Sequence, residues 1–271
     1  VRGTVNAMRI RIVDAFTDTP FRGNPAGVCL LPAGDWPAEA WMASVAAELN
    51  LAETAFAKPS GDPAADWDLR WFTPAVEVDL CGHATLATAH VLGGDAPLRF
   101  LTRSGVLVTS CAPDGTVTMD FPANPPTPVE APPGLAEALG AYPEKVFDTG
   151  ALGDLVVDVA DEATVRGLAP DLRGLAGFGE RCVIVTARGD GDHDFVSRVF
   201  CPAVGIDEDP VTGSAHTALG PLWADRLGRA TLVGVQASAR SGRVEVEVDG
   251  DRVRLRGRAV TMLDGELAVQ P

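Results

Sequence analysis

Arg70-Trp-Phe-Thr-Pro74 leads into Cys81-Gly-His-Ala-Thr-Leu-Ala-Thr-Ala-His-Val-Leu92, and much later Arg198-Val-Phe-Cys-Pro202 leads into Thr212-Gly-Ser-Ala-His-Thr-Ala-Leu219. Each is an Arg-x-Phe-x-Pro segment closing a strand-like stretch, followed by a helix that opens on glycine. The first helix is predicted over 82–92, stopped by Gly93-Gly94, and the second over 213–227, stopped by Gly228. Both runs are almost wholly apolar or small, so both helices should be buried. A hairpin follows each. Val106–Ser110 and Val117–Phe121 flank Pro113-Asp114-Gly115, and Val244–Val248 and Arg252–Arg256 flank Asp249-Gly250. With Asp249-Gly250 as a two-residue loop, Val246 faces Val253 and Val244 faces Leu255, while Glu247 meets Arg252 and Glu245 meets Arg254. Strand, proline loop, helix and hairpin thus recur in one order, which predicts a duplicated α+β unit jointed in Pro122–Pro133.

Upstream, Met8–Phe16 alternates apolar and polar residues as a half-buried first strand, and a Gly/Pro-rich loop follows over Thr19–Pro25. Asp35-Trp-Pro offers an N-cap and an early proline, and Trp41, Val45 and Leu49 recur on one face, giving a helix over 37–49. Val1–Ala7 precede the first strand and read as a leader from an expression vector or an upstream start. The expected lobes are therefore 8–121 and 122–271.

With 271 residues, the chain suits one large domain or two modest ones. A hydrophobic share of 46% and a charged share of 22% fit a folded globular protein. The net charge of −15 has the wrong sign for phosphate neutralisation, so neither nucleic acid nor an anionic membrane is an expected partner. No apolar run reaches the roughly 18 residues of a bilayer span. Cys29, Cys81, Cys111, Cys182 and Cys201 are odd in number, far apart and free of any Cys-x-x-Cys pattern. Neither a disulfide framework nor a zinc ribbon is indicated, and a reducing cytoplasm is the expected location.

The chemistry should gather where the two buried helices begin. Gly82-His83 and Gly213-Ser214 expose backbone N–H groups, and two such starts meeting in one cleft would cradle a substrate carboxylate. The competing explanation is tight helix–strand packing at glycine. His83 and His216 have no carboxylate-rich cluster beside them, so they read as hydrogen-bonding or core histidines and no metal site is expected. Asp207-Glu-Asp209 is either a solvated loop or the acidic mouth of that cleft. Glu53 lies in the largely apolar Asn50–Phe56, where desolvation would favour a carboxyl that takes and returns a proton, unless it points outward from an edge strand. Cys81 reads either as a thiolate base at a helix start or as an ordinary buried thiol. No phosphate loop or dinucleotide fingerprint is present, so no cofactor is expected.

Several of these stretches carry a family resemblance. Val13-Asp-Ala-Phe-Thr-x-x-Pro-Phe-x-Gly-Asn-Pro25, Asn50-Leu-Ala-Glu-Thr-Ala-Phe56, Phe72-Thr-Pro, Cys81-Gly-His-Ala-Thr-Leu-Ala87, Glu208-Asp-Pro-Val-Thr-Gly-Ser-Ala-His216 and Gln236-Ala-Ser-x-Arg240 resemble the PhzF-like phenazine biosynthesis isomerases, in family order from about residue 8 onward. The resemblance implies the diaminopimelate epimerase-like α+β fold: two similar lobes, each a curved mixed sheet around a central helix, the active site between them, usually in a homodimer. It implies Glu53 as the acid/base carboxyl, His83, Asp209 and Ser214 as groups that bind or orient substrate, and Gly82 and Gly213 as suppliers of backbone at the helix starts. Within the wider superfamily, epimerases and racemases use two opposed cysteines. Here Cys81 stands at one such position but Thr212 at the other, which favours a single carboxyl. The family's characterised reaction moves a proton between ring carbons of trans-2,3-dihydro-3-hydroxyanthranilate. The expectation is a cofactor-independent isomerase of a small carboxylate; an amino-acid epimerase or a catalytically silent binding protein are the other readings.

Overall fold

The computed structural model describes residues 8–269 and 271, so the expected leader over 1–7 lies outside the described residues. The described chain divides into two units, one running to Met119 and including 257–271, the other spanning Asp120–Arg256.

In the first unit the chain runs β1 (Met8–Ala15), β2 (Asn24–Leu30), α1 (Glu39–Leu49), β3 (Glu53–Pro59), β4 (Trp67–Phe72), β5 (Glu77–Val78), α2 (Gly82–Leu92), β6 (Leu98–Thr102) and β7 (Gly105–Cys111), and β8 (Val117–Pro122) begins in it and ends in the second. The second continues with β9 (Thr127–Val129), α3 (Leu135–Leu139), β10 (Lys145–Asp148), β11 (Asp154–Asp158), α4 (Glu162–Gly167), α5 (Leu172–Ala176), β12 (Cys182–Arg188), β13 (Phe195–Cys201), β14 (Ile206–Asp209), α6 (Gly213–Leu227), β15 (Thr231–Gln236), β16 (Gly242–Asp249) and β17 (Arg252–Gly257). β18 (Ala259–Leu267) then pairs antiparallel with β1, from Ala15↔Ala259 to Met8↔Leu267. The C-terminal strand therefore belongs with the first unit, whereas the expected boundary gave all of 122–271 to the second. Linear order carries no sign of this return, because β18 finds its partner through pairing with the far end of the chain.

The duplication is visible in the ladders. In the first unit β1 pairs β2 antiparallel, β2 pairs β3 parallel, β3 pairs β4 antiparallel, β4 pairs β6 parallel, and β6, β7 and β8 follow as an antiparallel meander. The second repeats that series step for step through β10, β11, β12, β13, β15, β16 and β17. In this correspondence α2 matches α6, and Glu53 at the head of β3 matches Cys182 at the head of β12. Both predicted central helices are found with their predicted limits. α2 packs against β1, β2, β3, β7 and β18, and its run from His83 to Ala89 is buried. Two threonines survive there because Thr85 Oγ1 donates to Cys81 O at 2.6 Å and Thr88 Oγ1 to Ala84 O at 2.7 Å.

Two local expectations shift. Helix α1 begins at Glu39 after an uncapped Ala38, so Asp35 caps nothing, although Val45 is buried and Trp41 and Leu49 pack on the core as expected. In the last hairpin Val248 faces Val253 and Val246 faces Leu255, so the loop residues are Gly250-Asp251. Gly250 takes φ +60°, as the first central position of a type II′ turn requires. The slip is by two residues, so the faces are kept: Val244, Val246, Val253 and Leu255 are buried, while Arg254 and Arg256 bind Glu247 on the other face.

The second unit also holds a disulfide, Cys182–Cys201, which the cysteine spacing did not indicate. These residues stand at the head of β12 and the tail of β13, beside the Val183↔Phe200 pair, with Cα atoms 4.1 Å apart. A bridge across a loop of this length contributes about 3 kcal/mol by restricting the unfolded chain. Thiol titration of unreduced, denatured protein should find only Cys29, Cys81 and Cys111, rising to all five cysteines after reduction. Five reactive thiols before reduction would show the bridge does not form.

Candidate active site

In the first unit the turn before β2 brings Asn24 to the start of α2. Gly23 makes this turn at φ +67°, where a side chain would meet the Ala15 carbonyl oxygen at 2.1 Å. Asn24 Nδ2 lies 3.2 Å from His83 Nδ1, and Cys81 Sγ lies 3.6 Å from the same nitrogen. On the other side of the ring, His83 Nε2 reaches Glu53 Oε2 at 3.2 Å, with no hydrogen bond in good alignment. The side chains of His83 and Glu53 are only 5% and 13% exposed. Glu53 is thus turned toward α2 and not out from an edge strand. With Nδ1 held by Asn24, the Nε2–H of a neutral ring points toward the carboxylate; an Asn24 amide flip serves the doubly protonated ring equally.

Electrostatics separates the two candidate bases. Burial pulls the His83 pKa down, but the pull of Cys81 and Glu53 outweighs it and leaves the imidazole well above its ordinary value. Burial, reinforced by the Glu53 carboxylate, pushes the Cys81 thiol up. Raised in this way, the thiol is the poorer of the two candidate bases. Gly82 completes this group as the first residue of α2, leaving the amides of that turn free of helical partners.

In the second unit the acidic run separates into distinct fates. Asp207 is exposed, Glu208 takes a two-pronged bond from Arg198 at 2.7 and 2.9 Å, and Asp209 Oδ2 accepts Thr212 Oγ1 at 2.5 Å. Arg70 grips Glu77 in the same fork at 2.7 and 2.5 Å, so each repeated Arg-x-Phe-x-Pro arginine fixes the hairpin that delivers the chain to a central helix. Gln236 then locks Thr212. Its Oε1 accepts Thr212 N–H at 2.8 Å, while Nε2 donates to Asp209 O at 2.7 Å and to Thr212 Oγ1 at 3.1 Å. Ser214, in the first turn of α6, accepts from Arg181 Nη2 at 3.2 Å, and that guanidinium also binds buried Asp154. His216 is a core histidine: Nδ1 donates to Thr212 O at 2.8 Å, and burial lowers its pKa to about 4, so it stays neutral.

The structure therefore gathers Glu53, Cys81, Gly82 and His83 in one unit and Asp209, Thr212, Gly213 and Ser214 in the other. Sequence reasoning left out Asn24, Arg181, Asp154 and Gln236 as site residues. Asn24 and Gln236 stand inside motifs already singled out, which was the available signal; Arg181 and Asp154 are joined only by the β11–β12 pairing.

A family model described as phenazine biosynthesis-like protein matches residues 13–265. The chain belongs to this family. It is 51% identical to an uncharacterized isomerase of Pseudomonas aeruginosa, over 94% of this chain and 96% of that one. It is 42% identical to an uncharacterized isomerase of Halalkalibacterium halodurans, over 95% and 97% of the two chains. A crystal structure of a PhzF family phenazine biosynthesis protein from Enterococcus faecalis superposes with a TM-score of 0.90 at 41% identity, covering 97% of this chain and all of that one. The protein is accordingly a PhzF-family isomerase with the expected α+β fold. Among the described residues, no helix is long and apolar enough to cross a membrane.

Proposed function

We infer that the protein shifts a carbon-bound proton within a small carboxylate, with Glu53 taking the proton and returning it. The observation that carries this reading is the pairing of Glu53, at the head of β3, with buried His83 of α2, 3.2 Å apart. A single carboxyl returns a proton to the face from which it came, which suits migration between two carbons joined through a conjugated double bond, as the electron pair relocates along it. His83, with its pKa raised and its Nε2 3.2 Å from Glu53 Oε2, keeps the carboxylate aimed by charge attraction, while Asp209 and Ser214 serve as substrate-orienting groups. Backbone amides at Gly82 and Gly213 are assigned to the substrate carboxylate or to the charge that develops on an enolate-type intermediate. The likeness to trans-2,3-dihydro-3-hydroxyanthranilate isomerase points to a cyclic amino carboxylate as the substrate class. A homodimer acting without a cofactor completes the reading.

A two-thiol epimerase mechanism fits less well. Thr212 holds the second cysteine's position, and its hydroxyl is committed to Asp209. The test is deuterium incorporation from D₂O into cyclic amino carboxylates and, in parallel, open-chain α-amino acids. Wild type should label the cyclic class with or without chelator. Labelling confined to open-chain amino acids, or activity removed by chelator and restored by one metal, would overturn the reading.

A further inference from the structure

The spacing of histidines gave no reason to expect a metal, yet folding assembles three different donors in one place. A carboxylate oxygen of Glu53, Cys81 Sγ and one ring nitrogen of His83 all lie within 4.8 Å of one another. They come from the head of β3, the residue before α2 and its first turn. Cys81 and His83 are buried and Glu53 is nearly so. His83 Nδ1 is engaged by Asn24, whereas Nε2 is a buried ring nitrogen that faces Glu53 with no aligned hydrogen bond among the described residues. A buried ring nitrogen that faces a carboxylate without an aligned hydrogen bond, beside a thiol, can exchange that ion-pair contact for a cation shared by all three donors.

The donor chemistry selects the ion. One sulfur, one imidazole nitrogen and one carboxylate oxygen are a set that zinc accepts, while magnesium and calcium prefer oxygen alone. Bond lengths of roughly 2.0–2.3 Å around a tetrahedral zinc put neighbouring donors about 3.3–3.6 Å apart. His83 Nε2 to Glu53 Oε2 is 3.2 Å and His83 Nδ1 to Cys81 Sγ is 3.6 Å. These two contacts use opposite ring nitrogens, so closing three single atoms from 4.8 Å onto one ion needs a contraction on the order of 1 Å. Three protein donors leave the fourth position open to water or to a substrate oxygen. Asn24 Nδ2 faces the far ring nitrogen, and turning that amide over presents its oxygen to Nδ1–H, the outer hydrogen bond that orients a ligating histidine.

We propose that Glu53, Cys81 and His83 bind one soft divalent cation of the zinc class, and that the ion switches the enzyme off by occupying the carboxylate needed for proton transfer. The inhibitory half rests on the function proposed above; the binding half does not.

The experiment titrates chelator-treated full-length protein with Co²⁺, whose bond to a thiolate gives an intense near-ultraviolet charge-transfer absorption. One equivalent should saturate the band, and added Zn²⁺ should abolish it. Cys81→Ser should lose the band, and the nearly isosteric Glu53→Gln should keep it while binding at least tenfold more weakly. Thermal melting checks that both variants are folded. No band in wild type, or one that survives Cys81→Ser because the ion sits at another thiol, overturns the site. In the deuterium assay one equivalent of Zn²⁺ should stop labelling by wild type, and undiminished labelling by zinc-saturated protein would overturn the switch. A wild type that labels nothing even without metal would defeat the proposed function, while the cobalt band would still decide the site.

Discussion

Glu53→Gln should lower deuterium exchange into substrate by a factor of about 10²–10⁴, the usual contribution of a positioned general base. Glutamine preserves the shape of the side chain and can still accept from His83 Nε2–H, but it cannot take a proton from carbon. The loss should therefore fall on kcat, with KM and the melting temperature nearly unchanged. A folding defect would look different, because Glu53 only begins β3, and the pairing Ala26↔Glu53 is made by backbone. Comparable exchange by the variant and wild type would remove Glu53 from the role of base. Isotope exchange is the sharper readout than product formation, since a carboxyl that has captured a proton can trade it with solvent before redelivery.

The parts of this molecule that were legible in advance are those written in local code. Gly93 and Gly228 end their helices, and the limits 82–92 and 213–227 follow from them. Glu53, His83 and Asp209 were reachable because each sits in a short stretch whose character is out of keeping with its neighbours, or within a family motif. What was not legible depends on which strands become neighbours. Cys182 and Cys201 are distant in sequence, and only the β12–β13 ladder brings them together. The hairpin register turned on which of two adjacent residues had to adopt a positive φ, and the glycine took the first central position. Gln236 ends a strand remote from Thr212, so its motif marks the residue but not its partner, the residue preceding α6. The metal-compatible trio shows the same logic, because Glu53 reaches Cys81 and His83 only through the fold.

Asp154→Asn should erase a pH dependence of stability worth about 3 kcal/mol. The Asp154 side chain is completely buried, and its Oδ2 binds Arg181 at 2.5 Å. Burial outweighs the attraction of Arg181 and raises the carboxyl from 3.8 to about 6. Between those two values the folded chain holds a proton that the unfolded chain has released. Wild type should therefore lose stability as pH rises from about 4 to about 6 and lose no more from this group above that window. Urea unfolding at pH 4, 5, 6 and 8, compared with the variant, isolates this contribution from the other carboxylates. Asparagine can still accept from Arg181, whose guanidinium is 38% exposed and so stays partly hydrated without its anion. The variant should consequently be at least as stable as wild type at pH 8, while an unchanged slope, or a loss above about 2 kcal/mol at that pH, would contradict the assignment. An ionised carboxylate that costs stability at neutral pH is thus retained beside the start of α6, where its partner Arg181 also touches Ser214.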